Sequence, residues 1–224
     1  MKRNLFQLID LDRTLFDTSK FAKAITDEVN KSEPGLGTEL DARFEEAYAR
    51  EETFFVLRFL RKHLGDEGFM TLVDKVLAAY GREAFKIEGF DERIALADTL
   101  TDVRPSYGIF TFGDEADQYL KLSILGLQDA PIYFTESADK SPVIASWKQP
   151  DGTYALPDEF GGNVVEQVTF EDDKARAFTQ LSEGVTGIWL TNAADAAEHA
   201  KSLGAHRLEI VPSLTASTEL LKTL

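Results

Sequence analysis

Five residues near the start of the chain, Leu5-Phe6-Gln7-Leu8-Ile9, form a mostly apolar run that stops abruptly at Asp10-Leu11-Asp12. A short run of this kind, ending in charge, is the pattern of a strand buried inside a parallel sheet. Such a strand cannot stand alone. It needs parallel partners reached by crossover connections, and these must come from elsewhere in the chain.

The partners come late. From Thr18 to about Thr101, apolar residues recur at helical spacing: Phe21, Ile25 and Val29, then Phe55, Leu57, Phe59, Leu60 and Leu64. Phe69, Leu72, Val73, Val76 and Leu77 follow, and then Ile94, Leu96 and Leu100. Breakers separate them at Pro34-Gly35-Leu36-Gly37, Gly65, Gly81 and Gly89. The pattern predicts an all-helical block of four or five helices. After it, strand and helix signals alternate. Tyr107 to Phe112, Pro131 to Thr135, Val164 to Phe170, Gly187 to Thr191 and Arg207 to Val211 read as strands. Glu115 to Leu125, a piece beginning near Lys140, Asp173 to Leu181, Ala193 to Leu203 and Leu214 to Leu221 read as helices. Alternation implies a parallel sheet with helices on both faces. Residues 1–16 and 102–224 then form an α/β core, and 17–101 is a helical insertion after its first strand. Around Pro150-Asp151-Gly152 a hairpin and a helix followed by a loop fit equally well.

Composition narrows the partners. The 224 residues carry 24 Lys+Arg and 39 Asp+Glu, a formal charge of −15. That balance repels nucleic acid and anionic lipid, so neither is an expected partner. Any phosphate site must be built locally from a cation, backbone N–H groups or a metal. The absence of cysteine excludes disulfides, thiolate catalysis and Cys-based zinc sites. His63, His199 and His206 are scattered without metal spacing. No apolar run approaches the roughly 20 residues of a membrane span, and the N-terminus turns acidic before a signal-peptide stretch forms. The expected location is the cytoplasm.

In open parallel sheets, ligands bind beyond the carboxyl ends of the strands. Past the first strand come Asp10-Leu11-Asp12-Arg13-Thr14-Leu15, past the second Thr111-Phe112-Gly113-Asp114, near the third Lys140, and past the fourth Glu171-Asp172-Asp173. Three acidic clusters, a hydroxyl and a lysine meet on one rim, and their charges balance only with a divalent cation. Leu8-Ile9-Asp10-Leu11-Asp12-Arg13-Thr14-Leu15 resembles the first motif of the haloacid dehalogenase-like (HAD) superfamily, apolar residues followed by D-x-D-x-T-L. Gly108-Ile109-Phe110-Thr111 resembles the second, Lys140 the third and Glu171-Asp172-Asp173 the fourth. Arg13 stands where the family often has glycine. The helical block lies where the family's C1-type cap is inserted, so the resemblance implies a Rossmann-like core with an all-helical cap that excludes water and limits substrate size.

The resemblance also implies roles. Asp10 attacks phosphorus to form an aspartyl-phosphate; with an ordinary pKa of about 3.9 it is ionised at neutral pH and needs no activating base. Asp12 protonates the leaving oxygen and then deprotonates the attacking water. Asp10, the backbone carbonyl of Asp12, Asp172 and Asp173 hold Mg²⁺. Thr111 and Lys140 hold the phosphoryl oxygens, with backbone N–H groups near Leu11 and Phe112. Lys148 competes with Lys140 for this place. The implied activity is a Mg²⁺-dependent phosphatase of a small phosphorylated metabolite. A phosphomutase of the same superfamily and a catalytically silent phosphate- or metal-binding regulatory protein are the alternatives, and a metal-independent dehalogenase fits the acidic residues less well. Oligomeric state and the identity of the substrate are not readable.

Several residues have plainer readings. Asp172 and Asp173 also suit a helix cap, and Arg13 a surface ion pair. Phe54, Phe55 and Phe59, with Trp147 and Trp189, read as packing residues. Glu45-Glu46 and Glu51-Glu52 read as a solvated face.

Overall fold

A computed structural model of the chain describes residues 3–49 and 54–224; Glu51-Glu52 lie outside these residues. The chain divides into two compact units. One comprises Met1–Phe16, Ile87–Gly113 and Leu127–Leu224, the other Asp17–Lys86 and Asp114–Gly126.

The first unit is built on strands β1 (Leu5–Ile9), β2 (Tyr107–Thr111), β3 (Ile132–Phe134), β6 (Gln167–Asp172), β7 (Val185–Leu190) and β8 (Leu208–Val211), with a small hairpin of β4 (Tyr154–Ala155) and β5 (Val164–Val165). The six long-range strands form one sheet in the order β3-β2-β1-β6-β7-β8, and every pairing in it is parallel. The N-terminal run is thus the central strand, flanked by partners about a hundred or more residues away. The chain winds outward through β2 and β3, then returns to the other side of β1 with β6. This reversal makes the carboxyl ends of β1 and β6 the switch point, where ligands bind in open parallel sheets.

Strand alternation sorts the sheet into two faces. On one, Phe6, Leu8, Phe110, Val168, Phe170 and Trp189 join a large buried cluster with Ile144, Trp147, Phe160 and Phe178. On the other, Ile188 and Val211 pack with Leu221 and the half-buried Leu96 and Leu100, which come from α8 (Leu214–Thr223) and α4 (Phe90–Leu100). The first face is completed by α6 (Ser141–Ser146) and α7 (Ala196–Ser202).

The second unit contains α1 (Thr18–Ser32), α2 (Pro34–Ala49), α3 (Val56–Tyr80) and α5 (Glu115–Leu125). Gly65 stands at φ 69° and kinks α3, where the sequence already placed a breaker. Asp17 caps α1 by accepting from Lys20 N, and Asp114 caps α5 by accepting from Asp117 N. Arg61 of α3 reaches Asp117 at 2.9 Å, and Arg82 donates to the Ser123 carbonyl at 2.8 Å.

The units differ from the sequence division at 17–101 in two places. Residues 87–101, including α4, belong with the sheet, because Arg93 and Ala97 turn their buried face toward it. Helix α5, expected among the core helices, belongs with α1–α3. Two element readings also change, and one left open is decided. Val164 to Phe170 divides into β5 and β6. Asp173 to Leu181 forms only a short 3₁₀ turn at Ala175–Phe178, since Asp172 Oδ1 accepts from Lys174 N at 2.8 Å and bends the chain locally. The Pro150-Asp151-Gly152 segment is a hairpin turn, with Gln149 N donating to the Thr153 carbonyl at 2.7 Å. Phe55 is 37% exposed and Phe54 and Phe59 are half-buried, so these rings are not core. Trp147 and Trp189 are buried as expected. Among the described residues no helix is long and apolar enough to cross a membrane.

Gly89 opens α4 at φ 90°, and a Cβ there would meet Thr215 Oγ1 at 2.6 Å and Thr215 N at 3.0 Å. Both the backbone and the close approach of α8 require glycine. Gly89→Ala is expected to cost about 1–3 kcal/mol, read as a lower urea midpoint at unchanged m-value.

Candidate active site

Four strand ends supply the groups at the switch point. β1 stops at Ile9 and its extension Asp10 donates its backbone N–H to the Glu171 carbonyl at 2.9 Å, so the next residue is still in register with β6. The chain then closes a tight turn: Leu15 N and Phe16 N both donate to the Leu11 carbonyl, and Arg13 N donates to Phe16 O at 2.7 Å. Arg13 adopts φ 61°, the left-handed conformation that explains why glycine suits this place. Asp12 lies half-buried in the turn. β2 ends at the buried Thr111, whose carbonyl accepts from Thr135 N at 2.8 Å and from Thr135 Oγ1 at 3.2 Å. β6 ends at Asp172, with Asp173 next.

Lys140 draws these ends together. It begins α6, where Pro142 sets the first turn. Its Nζ donates to Asp10 Oδ1 at 2.5 Å and to Asp172 Oδ2 at 2.7 Å. The ammonium stands 5.7 Å from the Phe110 ring centre and 5.6 Å from that of Phe170, close enough for a cation–π contribution. Lys140 is 3% exposed and Asp10 5%. Thr14 Oγ1 donates to Asp10 Oδ2 at 3.3 Å. Asp173 turns outward to Arg13, Oδ2 to Nε 2.9 Å, while its Oδ1 is buried with no hydrogen-bond partner.

The electrostatics follow from crowding. Burial pushes the Asp10 carboxyl up, Lys140 pulls it back, and Asp172 and Asp12 raise it again, leaving it at about 7. Asp173 is pushed to about 6, chiefly by burial and then by Asp10, against Arg13. Burial alone would lower the Lys140 ammonium, but the two carboxylates that face it hold it above the ordinary lysine range. Burial and the neighbouring carboxylates thus work against the ionised form of Asp10, and Lys140 works for it.

By formal charge, Asp10, Asp12, Asp172 and Asp173 against Lys140 and Arg13 leave −2. Asp10, Asp172 and Asp173 each offer an oxygen within 4.8 Å of the others. Hard oxygen donors, an unpartnered Asp173 carboxylate oxygen and a local excess of negative formal charge fit a divalent cation. Of the residues expected from the sequence, the structure gathers Asp10, Lys140, Asp172 and Asp173 into one cluster. It places Asp12 in the adjoining turn and Thr111 at the end of the neighbouring strand. Lys148 is elsewhere, its Nζ donating to the Glu183 carbonyl at 3.0 Å. Sequence reasoning missed Thr14 and Thr135. It also missed a buried pair on the opposite face of the sheet, Arg93 with Glu171. The helical spacing Phe90, Arg93, Ala97 could have revealed that Arg93 faces inward.

The raised carboxyls predict a pH dependence. A carboxyl whose pKa is higher folded than unfolded binds protons more tightly in the folded state. Its stabilisation is complete below the unfolded value of about 3.8 and is lost as pH rises through about 7 for Asp10 and about 6 for Asp173. Metal-free protein is expected to lose on the order of 4 kcal/mol between pH 5 and 8, most of it from Asp10, in urea unfolding. Asp10→Asn should flatten most of that slope.

Three solved structures are similar over nearly their whole length. A haloacid dehalogenase-like hydrolase from Burkholderia xenovorans LB400 is 12% identical with a TM-score of 0.62, covering 97% of this chain and 96% of that one. A HAD-hydrolase from Bacillus subtilis bound to magnesium is 17% identical, TM-score 0.52, with 99% and 100% covered. A hydrolase from Pseudomonas syringae is 16% identical, TM-score 0.51, with 100% and 99% covered. No protein-family model matches the chain, and no curated protein matches its sequence. Identities this low carry the architecture alone, and on it the conclusion is plain: the chain has the haloacid dehalogenase-like fold.

Proposed function

We propose that the chain is a Mg²⁺-dependent phosphatase that hydrolyses a small phosphorylated metabolite through an aspartyl-phosphate on Asp10. The observation that carries this reading is the buried Lys140 held between Asp10 and Asp172, with Asp173 completing a set of three carboxylate donors within 4.8 Å. The magnesium-bound relative from Bacillus subtilis supports the choice of ion, which Asp10, Asp172, Asp173 and the main-chain carbonyl of Asp12 would hold. When bound, Mg²⁺ supplies charge that neutralises phosphoryl oxygens and favours the ionised form of Asp10.

The residues of the chain account for the rest. The Asp10 carboxylate forms a bond to phosphorus as the ester P–O bond breaks, and Asp12 gives its proton to the departing alkoxide. Asp12, now a carboxylate, takes a proton from the incoming water. That water attacks phosphorus, releases inorganic phosphate and restores Asp10. Lys140 and Thr111 hold the non-bridging oxygens, with the lysine charge fixed in a nearly dry site where it acts strongly on the transition state. The −2 balance of the cluster argues against a metal-independent dehalogenase. A phosphomutase would use the same groups but return the phosphoryl group to substrate rather than water. A silent binding protein would bind Mg²⁺ without turnover.

The test is p-nitrophenyl phosphate hydrolysis with and without Mg²⁺. Turnover is expected only with the metal, reduced more than about 10³-fold in Asp10→Asn and about 10²–10⁴-fold in Asp12→Asn. Mg²⁺ that raises the melting temperature without any hydrolysis would overturn the catalytic reading in favour of a binding protein.

A further inference from the structure

The strands that carry Asp10 and Asp172 are tied together on the Lys140 face, and they are tied a second time on the other. Alternation turns Gln7 and Glu171 away from Lys140, toward α4 and α8. Gln7 Nε2 donates to the Ala97 carbonyl of α4 at 3.0 Å and to the Ser106 carbonyl at 3.2 Å. One turn back along α4, Arg93 Nε donates to both carboxylate oxygens of Glu171 at 2.9 Å. From α8, Ser217 Oγ donates to Glu171 Oε1 at 2.9 Å. Arg93 and Glu171 are both fully buried. Helix α4 therefore grips β1 through Gln7 and β6 through Glu171, on adjacent strands paired Gln7↔Thr169 and Ile9↔Glu171.

Glu171 is the pivot of this arrangement. Its side chain is anchored in α4 and α8, its carbonyl accepts the Asp10 N–H, and its covalent neighbour is Asp172. Stability is a poor reason for such a pair. A buried ion pair is often no more stable than apolar residues of the same volume, and here Arg93 Nη1 and Nη2 have no hydrogen-bond partner. What the pair supplies and an apolar contact does not is direction, since the single Nε–H shared between both carboxylate oxygens holds the Glu171 carboxylate in line with the edge of the guanidinium.

We infer that Arg93 and Glu171 are positioning residues: they brace the carboxyl ends of β1 and β6 from behind, so that Asp10 and Asp172 keep their mutual geometry despite repelling each other. The catalytic consequence rests on the phosphatase reading, while the brace itself does not. In its absence the two strand ends can splay, and the Asp10 backbone hydrogen bond to Glu171 is the first to open.

The experiment uses the full chain with Arg93→Met/Glu171→Leu, which removes both charges together and leaves neither unpaired. Amide hydrogen exchange on the metal-free protein reads the brace, and p-nitrophenyl phosphate kinetics with Mg²⁺ read its consequence. The double variant is expected to unfold at a urea midpoint near that of the parent. Its Asp10 amide should exchange on the order of tenfold faster relative to Leu8, and kcat should fall about 10–100-fold while KM changes little. Parental Asp10 protection in the folded double variant overturns the inference. Should that variant not fold, Arg93→Lys, which keeps the charge and loses the fixed Nε–H, must show the same faster Asp10 exchange, and parental protection there is equally fatal. A parent without turnover refutes the phosphatase reading alone, because the exchange result stands apart from catalysis.

Discussion

One ammonium group held between two carboxylates organises this molecule. Lys140 reaches Asp10 from the central strand and Asp172 from its neighbour, two residues separated by more than half the chain. Each of the three would be costly to bury alone. Together they form a nearly dry cluster whose charges compensate only in part, and burial first, then the neighbouring carboxylates, lift the Asp10 and Asp173 carboxyls toward neutrality. The same incomplete compensation suits the site to a divalent cation, which an electrostatically complete site would have little reason to bind.

Holding that cluster demands rigidity on both sides of the sheet. On one side the Lys140 ammonium stands near the Phe110 and Phe170 rings, part of an aromatic core in which Phe110 contacts Tyr133, Trp147 and Phe170. Large flat side chains fill this layer and leave the ammonium few alternative places. On the other side, α4 meets the sheet through polar contacts from Gln7 and Glu171 rather than through an unbroken apolar face. A chain selected for stability alone would gain little from that choice, whereas one that must keep two repelling carboxylates a fixed distance apart gains a defined geometry.

Much of this was legible in the residues. The apolar run ending at Asp10 read correctly as a buried parallel strand, because only a strand covered on both faces tolerates apolar residues at every position. The alternation after residue 102 placed β2, β3, β7 and β8 within a residue or two, and the residues past β1, near β3 and at the end of β6 are Asp10, Lys140, and Asp172 with Asp173. The reading failed where local pattern and tertiary contact disagree. The stretch after Asp173 has helical composition, yet the Asp172 carboxylate captures the Lys174 amide and a 3₁₀ turn results. Phe55 has the composition of a core residue and stands in the open, since periodicity does not say which side of a helix is covered.

The sequence by itself determined the parallel α/β class, the order of its elements and the rim on which its chemistry lies, because these depend on period and on charge at strand ends, both local properties of the chain. Tertiary structure alone decided that Lys140 rather than Lys148 enters the cluster, that α4 belongs with the sheet, and that Arg93 meets Glu171 across 78 residues. Those outcomes depend on which distant strands become neighbours, and no local spacing encodes that distance. The Asp10 carboxyl shows the division most clearly: its identity was readable from the motif, but its pKa near 7 comes from burial and from partners that include Lys140 and Asp172, two distant parts of the chain.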